Sequence, residues 1–251
     1  MLRAYRPNSF SAPGAISIMP KQALIQYCAV AAFTAVAASP TMANALTLYD
    51  GLALPSQTPA QQGWLYQGTA IPTAPSVTAT TSGTSLNTGS STNYAGYFKQ
   101  APNSLNRLTG YSVQFSFKVN AESHSSTNRA GFSLIVMSAV APGETQPYGL
   151  ELGVWTNSLW AQNVGFTRGE NVAINTQSAV NNYRLDVQGL NYKLYANGAP
   201  QPILQGALRQ YTGFTPPPGY PNPYKTPNLL FMGDDTTSAT GKVTITQVTQ
   251  F

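Results

Sequence analysis

The chain has 251 residues and a formal net charge of +5, yet only 8% of its residues are charged, against ~25% in ordinary soluble domains. Without Arg3, Arg6 and Lys21 it carries ten basic residues against eight acidic, with no basic stripe or cluster, which argues against nucleic acid as a partner. Its one cysteine, Cys28, sits in an apolar N-terminal run, so the rest of the chain has no disulfide, thiolate metal site or cysteine nucleophile.

In chain order, the first element is that run, ALIQYCAVAAFTAVAA at 23–38. Basic residues precede it and Ala43-Asn44-Ala45 follows, which is the layout of a secretory signal with an A-x-A cleavage site. It is shorter than the ~20 apolar residues needed to cross a bilayer. The expectation is a signal-peptide helix within residues 1–45, with Met19 as an alternative start, and a mature chain from Leu46. Residues 46–251 then form a single domain, exported to the extracellular space, the periplasm or the cell surface, with no membrane span of its own.

Residues 75–92, rich in Ser, Thr and Gly, read as a loop or a weak edge strand. YSVQFSFKV at 111–119 alternates apolar and polar residues with period two, as a half-buried strand does. AGFSLIVM at 130–137 is a second strand, and GLELGVWTNSLWAQN at 149–163 reads as a hairpin. NYRLDVQ at 182–188 and YKLYA at 192–196 alternate again, and the latter runs into the tight-turn dipeptide Asn197-Gly198. TPPPGYPNPYKTP at 215–227 is too rich in proline for a central strand and reads as an extended surface loop. NLLFM at 228–232 and KVTITQV at 242–248 complete the series. No capped 3.6-residue periodicity follows the signal. The class is all-β, in two packed antiparallel sheets.

The 149–163 hairpin carries the densest chemistry. Leu150, Leu152 and Val154 share one face; Glu151, Gly153 and Trp155 share the other. A two-residue turn at Asn157-Ser158 would set Trp155 directly across from Trp160, with Gln162 on the same face. Rings stack on the apolar faces of sugars while amides and carboxylates bind hydroxyls, so this face suits a glycan. The competing reading has the face covered and the tryptophans in a core. Arg129, at the head of a strand, is expected to pair with a carboxylate such as Glu151, or to bind a ligand anion.

The other chemistry is sparse. After the signal there is one histidine, His124, in a polar stretch without a G-x-S-x-G elbow. A glycosidase needs two facing carboxylates; Glu151 and Glu170 are the candidate pair, but no E-x-D-x-x-E motif is present. Asp234 and Asp235, flanked by glycine and hydroxyls in GDDTTSAT, are a calcium candidate. The same residues also form turns without metal. No other cofactor is expected.

Seven stretches together resemble the bacterial choice-of-anchor Y domain: GWLYQGT at 63–69, LNRLTGYSVQFSFKV at 105–119, ESHSSTNRAGFSLIV at 122–136, the 149–163 hairpin, FTRGENV at 166–172, YRLDVQGLNYKLYANG at 183–198 and LLFMGDDTTSATGKV at 229–243. The resemblance spans nearly all of 46–251. It implies a jelly-roll sandwich of the concanavalin A-like or laminin-G-like kind in an exported protein, and it brings no established catalytic residue. The chain reaches Phe251 directly after its last strand, so surface attachment through a C-terminal tail is not expected.

The leading functional expectation is a non-catalytic domain that binds a glycan or another cell-envelope partner through Trp155, Trp160, Glu151, Gln162, Arg129 and His124. The alternatives are a glycoside hydrolase or lyase using Glu151 and Glu170, and a structural envelope protein without a small ligand.

Overall fold

A computed structural model describes residues 45–68, 75–90, 92–216 and 219–251. The expected signal helix lies outside the described residues. The strands are β1 (Leu46–Asp50), β2 (Leu65–Gly68), β3 (Ser76–Thr80), β4 (Gly83–Asn87), β5 (Ala95–Gln100), β6 (Tyr111–His124), β7 (Ser133–Met137) and β8 (Gly149–Val154). They continue as β9 (Ser158–Gln162), β10 (Arg168–Ala173), β11 (Asn181–Gln188), β12 (Asn191–Ala196), β13 (Leu204–Ala207), β14 (Leu229–Asp234) and β15 (Ala239–Gln250).

They form two antiparallel sheets. The first runs β13-β12-β11-β6-β15-β4-β3, with β1 also paired to β15; the second runs β10-β9-β8-β7-β14-β5-β2. The all-β reading is therefore correct. The period-two segments behave as their patterns require. Val113, Phe115, Phe117 and Val119 of β6 pack inward with Tyr183, Leu185 and Val187 of β11. Leu134 and Val136 of β7, Leu150, Leu152 and Val154 of β8, and Leu230 and Met232 of β14 meet them from the second sheet. After β12 both Asn197 and Gly198 take positive φ, 53° and 72°, and the amide of Ala199 donates to the Ala196 carbonyl at 3.0 Å, as a tight turn of this dipeptide demands.

Two readings need correction. Residues 75–92 are neither loop nor only an edge: β3 and β4 form a hairpin, and β4 is held between β3 and β15. The 215–227 segment is an extended loop, but it is not merely a surface connector. Tyr211, Phe214 and Tyr224 fold back onto the outer face of the second sheet, over Phe98, Ile135, Met137, Leu229 and Phe231. The central strands β7 and β14 of that sheet are thus buried on both sides. This is why β7 and β14 read as unbroken apolar runs rather than alternating ones.

Candidate functional site

The β8–β9 hairpin and the end of β6 build the site. The hairpin turns at Thr156-Asn157: the Trp155 amide donates to the Ser158 carbonyl at 2.9 Å, and Val154 pairs with Leu159, Gly153 with Trp160. The expected register, with Trp155 facing Trp160, is therefore off by two residues along the partner strand. A two-residue offset preserves which face each side chain occupies. Glu151, Gly153, Trp160 and Gln162 do share the outer face, and the missing side chain at Gly153 makes room for the Trp160 ring. A Cβ there would lie 2.4 Å from that ring.

Most of this face is interior. Trp160 is 0% exposed, Glu151 1% and Gln162 1%, because the loop carrying Tyr211 and Tyr224 covers them. The covering is a hydrogen-bonded network. The Tyr211 hydroxyl accepts from the Glu151 amide at 2.9 Å and donates to the Gln162 carbonyl at 2.8 Å. The Tyr224 hydroxyl lies 2.6 Å from Glu151 Oε2 and 3.0 Å from Asp235 Oδ2. Ser133 donates to Glu151 Oε1 at 3.2 Å, and the Trp160 indole donates to Gln162 Oε1 at 3.1 Å.

Arg129 is the cation of this network, as its position at the head of a strand suggested. Its guanidinium lies 3.4 Å from Glu151 Oε1 and 2.9 Å from Asp235 Oδ2, over the Phe166 ring at 5.0 Å. Burial, followed by the Asp235 charge, raises the Glu151 carboxyl to about 7 even though Arg129 opposes the shift. Burial likewise holds the Asp234 carboxyl well above the usual range.

The surface part of the site lies at the hairpin tip. The distal end of β6 extends past the core to Glu122 and His124. The His124 ring stacks on Trp155 with centroids 3.8 Å apart and planes 3° from parallel. The Arg168 guanidinium lies over Trp155 and Trp160, 4.4 Å from each centroid. Trp155 meets Trp160 edge-on at 4.8 Å, and its indole donates to the Arg129 carbonyl at 3.0 Å. Glu122, whose side chain is shut from solvent, lies 2.9 Å from His124 Nδ1; burial raises its carboxyl, with the His124 hydrogen bond opposing. Glu122, His124, Trp155, Asn157, Ser158 and Arg168 line a shallow open depression. Arg168 and Glu122 are members that the sequence reading missed. Arg168 stands in FTRGENV, and nothing in its local pattern marks it as a neighbour of Trp155.

Glu170 is bound to Arg209, whereas Glu151 is bound to Arg129, Ser133 and Tyr224; no ion-pair or hydrogen-bond partner among the described residues is common to both. Asp235 lies on the outer face of the second sheet, where it already has Arg129, whereas Asp234 alternates to the inner face with Leu230 and Met232. The described residues contain no group of three or more acidic, histidine or cysteine side chains able to hold a metal. Calcium takes 6–8 oxygens, and a donor set already neutralised by a guanidinium does not fit it.

No family model matches the chain, and no curated protein does. Solved structures do match. The conserved carbohydrate esterase of the Shiga toxin-encoding bacteriophage phi24B aligns at 13% identity over 82% of this chain and 98% of its own, with a TM-score of 0.52. The likeness is one of fold, a two-sheet antiparallel β-sandwich. A Bacillus subtilis protein of unknown function with a galectin-like fold aligns at 11% identity over 81% of this chain and 94% of its own, TM-score 0.48. The metal-free carbohydrate recognition domain of Emp46p aligns at 11% identity over 82% and 95%, TM-score 0.48. At these identities the likeness is one of architecture. Among the described residues no helix is long and apolar enough to cross a membrane.

Proposed function

We propose that this chain is an exported, non-catalytic sandwich domain of the choice-of-anchor Y type that binds a glycan at the β8–β9 tip. One observation carries the reading: His124 stacks on Trp155 and Arg168 lies 4.4 Å from the same ring, beside an open depression whose rim is otherwise polar. Shallow polar depressions with a ring plane suit sugars, whose apolar faces stack while their hydroxyls find carboxylates, amides and guanidinium groups. Trp155 has His124 and Arg168 over its ring, so the plane offered to a sugar is the outer side of His124, with Trp155 as its backing. Asn157 and Arg168 supply the polar contacts. Trp160, Glu151, Gln162 and Arg129 act from beneath, holding the stack in place. The seven matching stretches and the signal-like N-terminus support export and the family assignment.

A glycan array probed with the protein tests this. At least one class of oligosaccharide should bind, and Trp155→Ala and His124→Ala should each reduce binding by about tenfold or more, the worth of one lost stacking plane. An array without a hit, or hits that survive both substitutions, would reject the site.

A further inference from the structure

The arginines of the described residues divide unevenly. Arg107 is paired with Glu144, Arg129 with Glu151 and Asp235, Arg184 with Asp186, and Arg209 with Glu170. Arg168 alone among them has no carboxylate. Its backbone amide and carbonyl are bonded to Asn128 and Asn163, but its guanidinium donates no hydrogen bond to a described residue. Yet that group is held in place, 4.4 Å from the ring centroids of both Trp155 and Trp160. Partial burial with no anion to offset it lowers its pKa from the usual arginine value. A fixed, planar, unpaired guanidinium is a receptor for a planar anion, because a carboxylate takes two parallel N–H bonds from it.

The rest of the depression does not cancel this charge. Glu122 is the one acidic residue in its walls. The side chain of Glu122 is shut from solvent, and both its oxygens face His124 Nδ1, at 2.9 and 3.1 Å. Ser123, Thr156, Asn157, Ser158 and Ala173 complete the lining and carry no charge.

The depression also continues. A second one shares Thr156, Asn157 and Ala173 with it and runs on to Ile174, Asn175 and Gln177. The two enclose about 690 and 390 Å³. The result is a groove with a cation at one end and uncharged amides along the other. Amides suit sugar hydroxyls, and the guanidinium suits an acid group.

We propose that the glycan taken at the β8–β9 tip is an acidic oligosaccharide. Arg168 pairs with the carboxylate of a sugar whose ring lies on His124, and the chain runs past Asn157 towards Asn175 and Gln177. This rests on the glycan reading above and sharpens it to one chemical class.

The test is calorimetric titration with uronate tetramers and sialyl oligosaccharides, each beside the same chain with its carboxyl groups reduced to alcohols. At least one acidic chain should bind, and its neutral counterpart should bind about tenfold more weakly or worse, as the loss of one charge-assisted pair requires. Which of the two acidic sets binds identifies the source of the carboxylate. Neutral chains bound as tightly as their acidic parents, or binding confined to neutral or sulfated glycans, would overturn the proposal and leave the glycan reading standing. No binding by any glycan would remove both. Arg168→Gln should abolish the preference for the acid, and Arg168→Lys, which keeps the charge but loses the fork, should retain part of it. Trp155→Ala should weaken acidic and neutral chains alike. A folded Arg168→Gln protein that still prefers the acidic chain would also overturn the proposal. A monosaccharide acid bound as tightly as its tetramer would contradict the groove beyond Asn157.

Discussion

At the scale of single residues, the account depends on Glu151 and Arg129. Both are nearly shut from solvent, and Arg129 is shared between Glu151 and Asp235. Glu151→Ala leaves Arg129 with Asp235 but strips the Ser133 and Tyr224 hydroxyls of their acceptor, so it should lower unfolding stability in urea by ~1–3 kcal/mol, and Glu151→Gln, which keeps the hydrogen-bonding shape, by clearly less. Equal losses in the two variants would show that packing, not hydrogen bonding, is what Glu151 supplies. That Arg129 meets a carboxylate was legible in the sequence, since a basic residue heading an apolar strand needs a partner. That Asp235 is the nearer carboxylate was not, because the two residues lie far apart in the chain and meet only when β14 is placed beside β7.

At the scale of elements, the proline-rich loop decides which side chains are surface and which are core. Its six prolines correctly exclude a strand, but proline chemistry says nothing about where the loop lies. The 3₁₀ turn at Pro223–Lys225, capped by Asn222, which accepts from the Tyr224 amide at 3.0 Å, presents Tyr224 to Glu151 and Asp235. Removing that hydroxyl leaves buried carboxylate oxygens unsatisfied, so Tyr224→Phe should cost ~1–3 kcal/mol, read from chemical denaturation. A variant as stable as the parent would show that the loop is held by its rings alone. The same loop explains why the tryptophan hairpin was half legible. Alternation assigned the two faces correctly, and it cannot report what covers an outer face. The turn was misplaced because Thr156-Asn157 and Asn157-Ser158 are equally good turn dipeptides, and only the seating of Trp160 over Gly153 chooses between them. Strands such as β5 and β10 escaped notice because each is short and mixes small, polar and charged residues without a clean period.

At the scale of the whole molecule, two sheets enclose one core and the loop seals a second, with the raised Glu151 carboxyl trapped in the seal. Its sign on stability is definite. Glu151 titrates near 7 in the folded chain against an ordinary 4.5, so across that window the folded state holds more protons than the unfolded one. Stability must then fall as pH rises through it, and Asp234, also raised by burial, adds in the same direction. Thermal melts should give a higher midpoint at about pH 5 than at about pH 8, with a shallower slope in Glu151→Gln. A midpoint that rises with pH over that range would contradict the buried-carboxylate account.

The claim that the β8–β9 tip is the binding surface is tested most directly by the indole N–H signals of the three tryptophans. Trp64 is buried in the main core, with its indole bound to the Leu48 carbonyl at 2.9 Å; Trp160 lies under the loop, and only Trp155 borders the open depression. On titration with a glycan that binds, the Trp155 signal should move most and Trp64 should stay fixed. A bound glycan that leaves Trp155 unmoved would contradict the account.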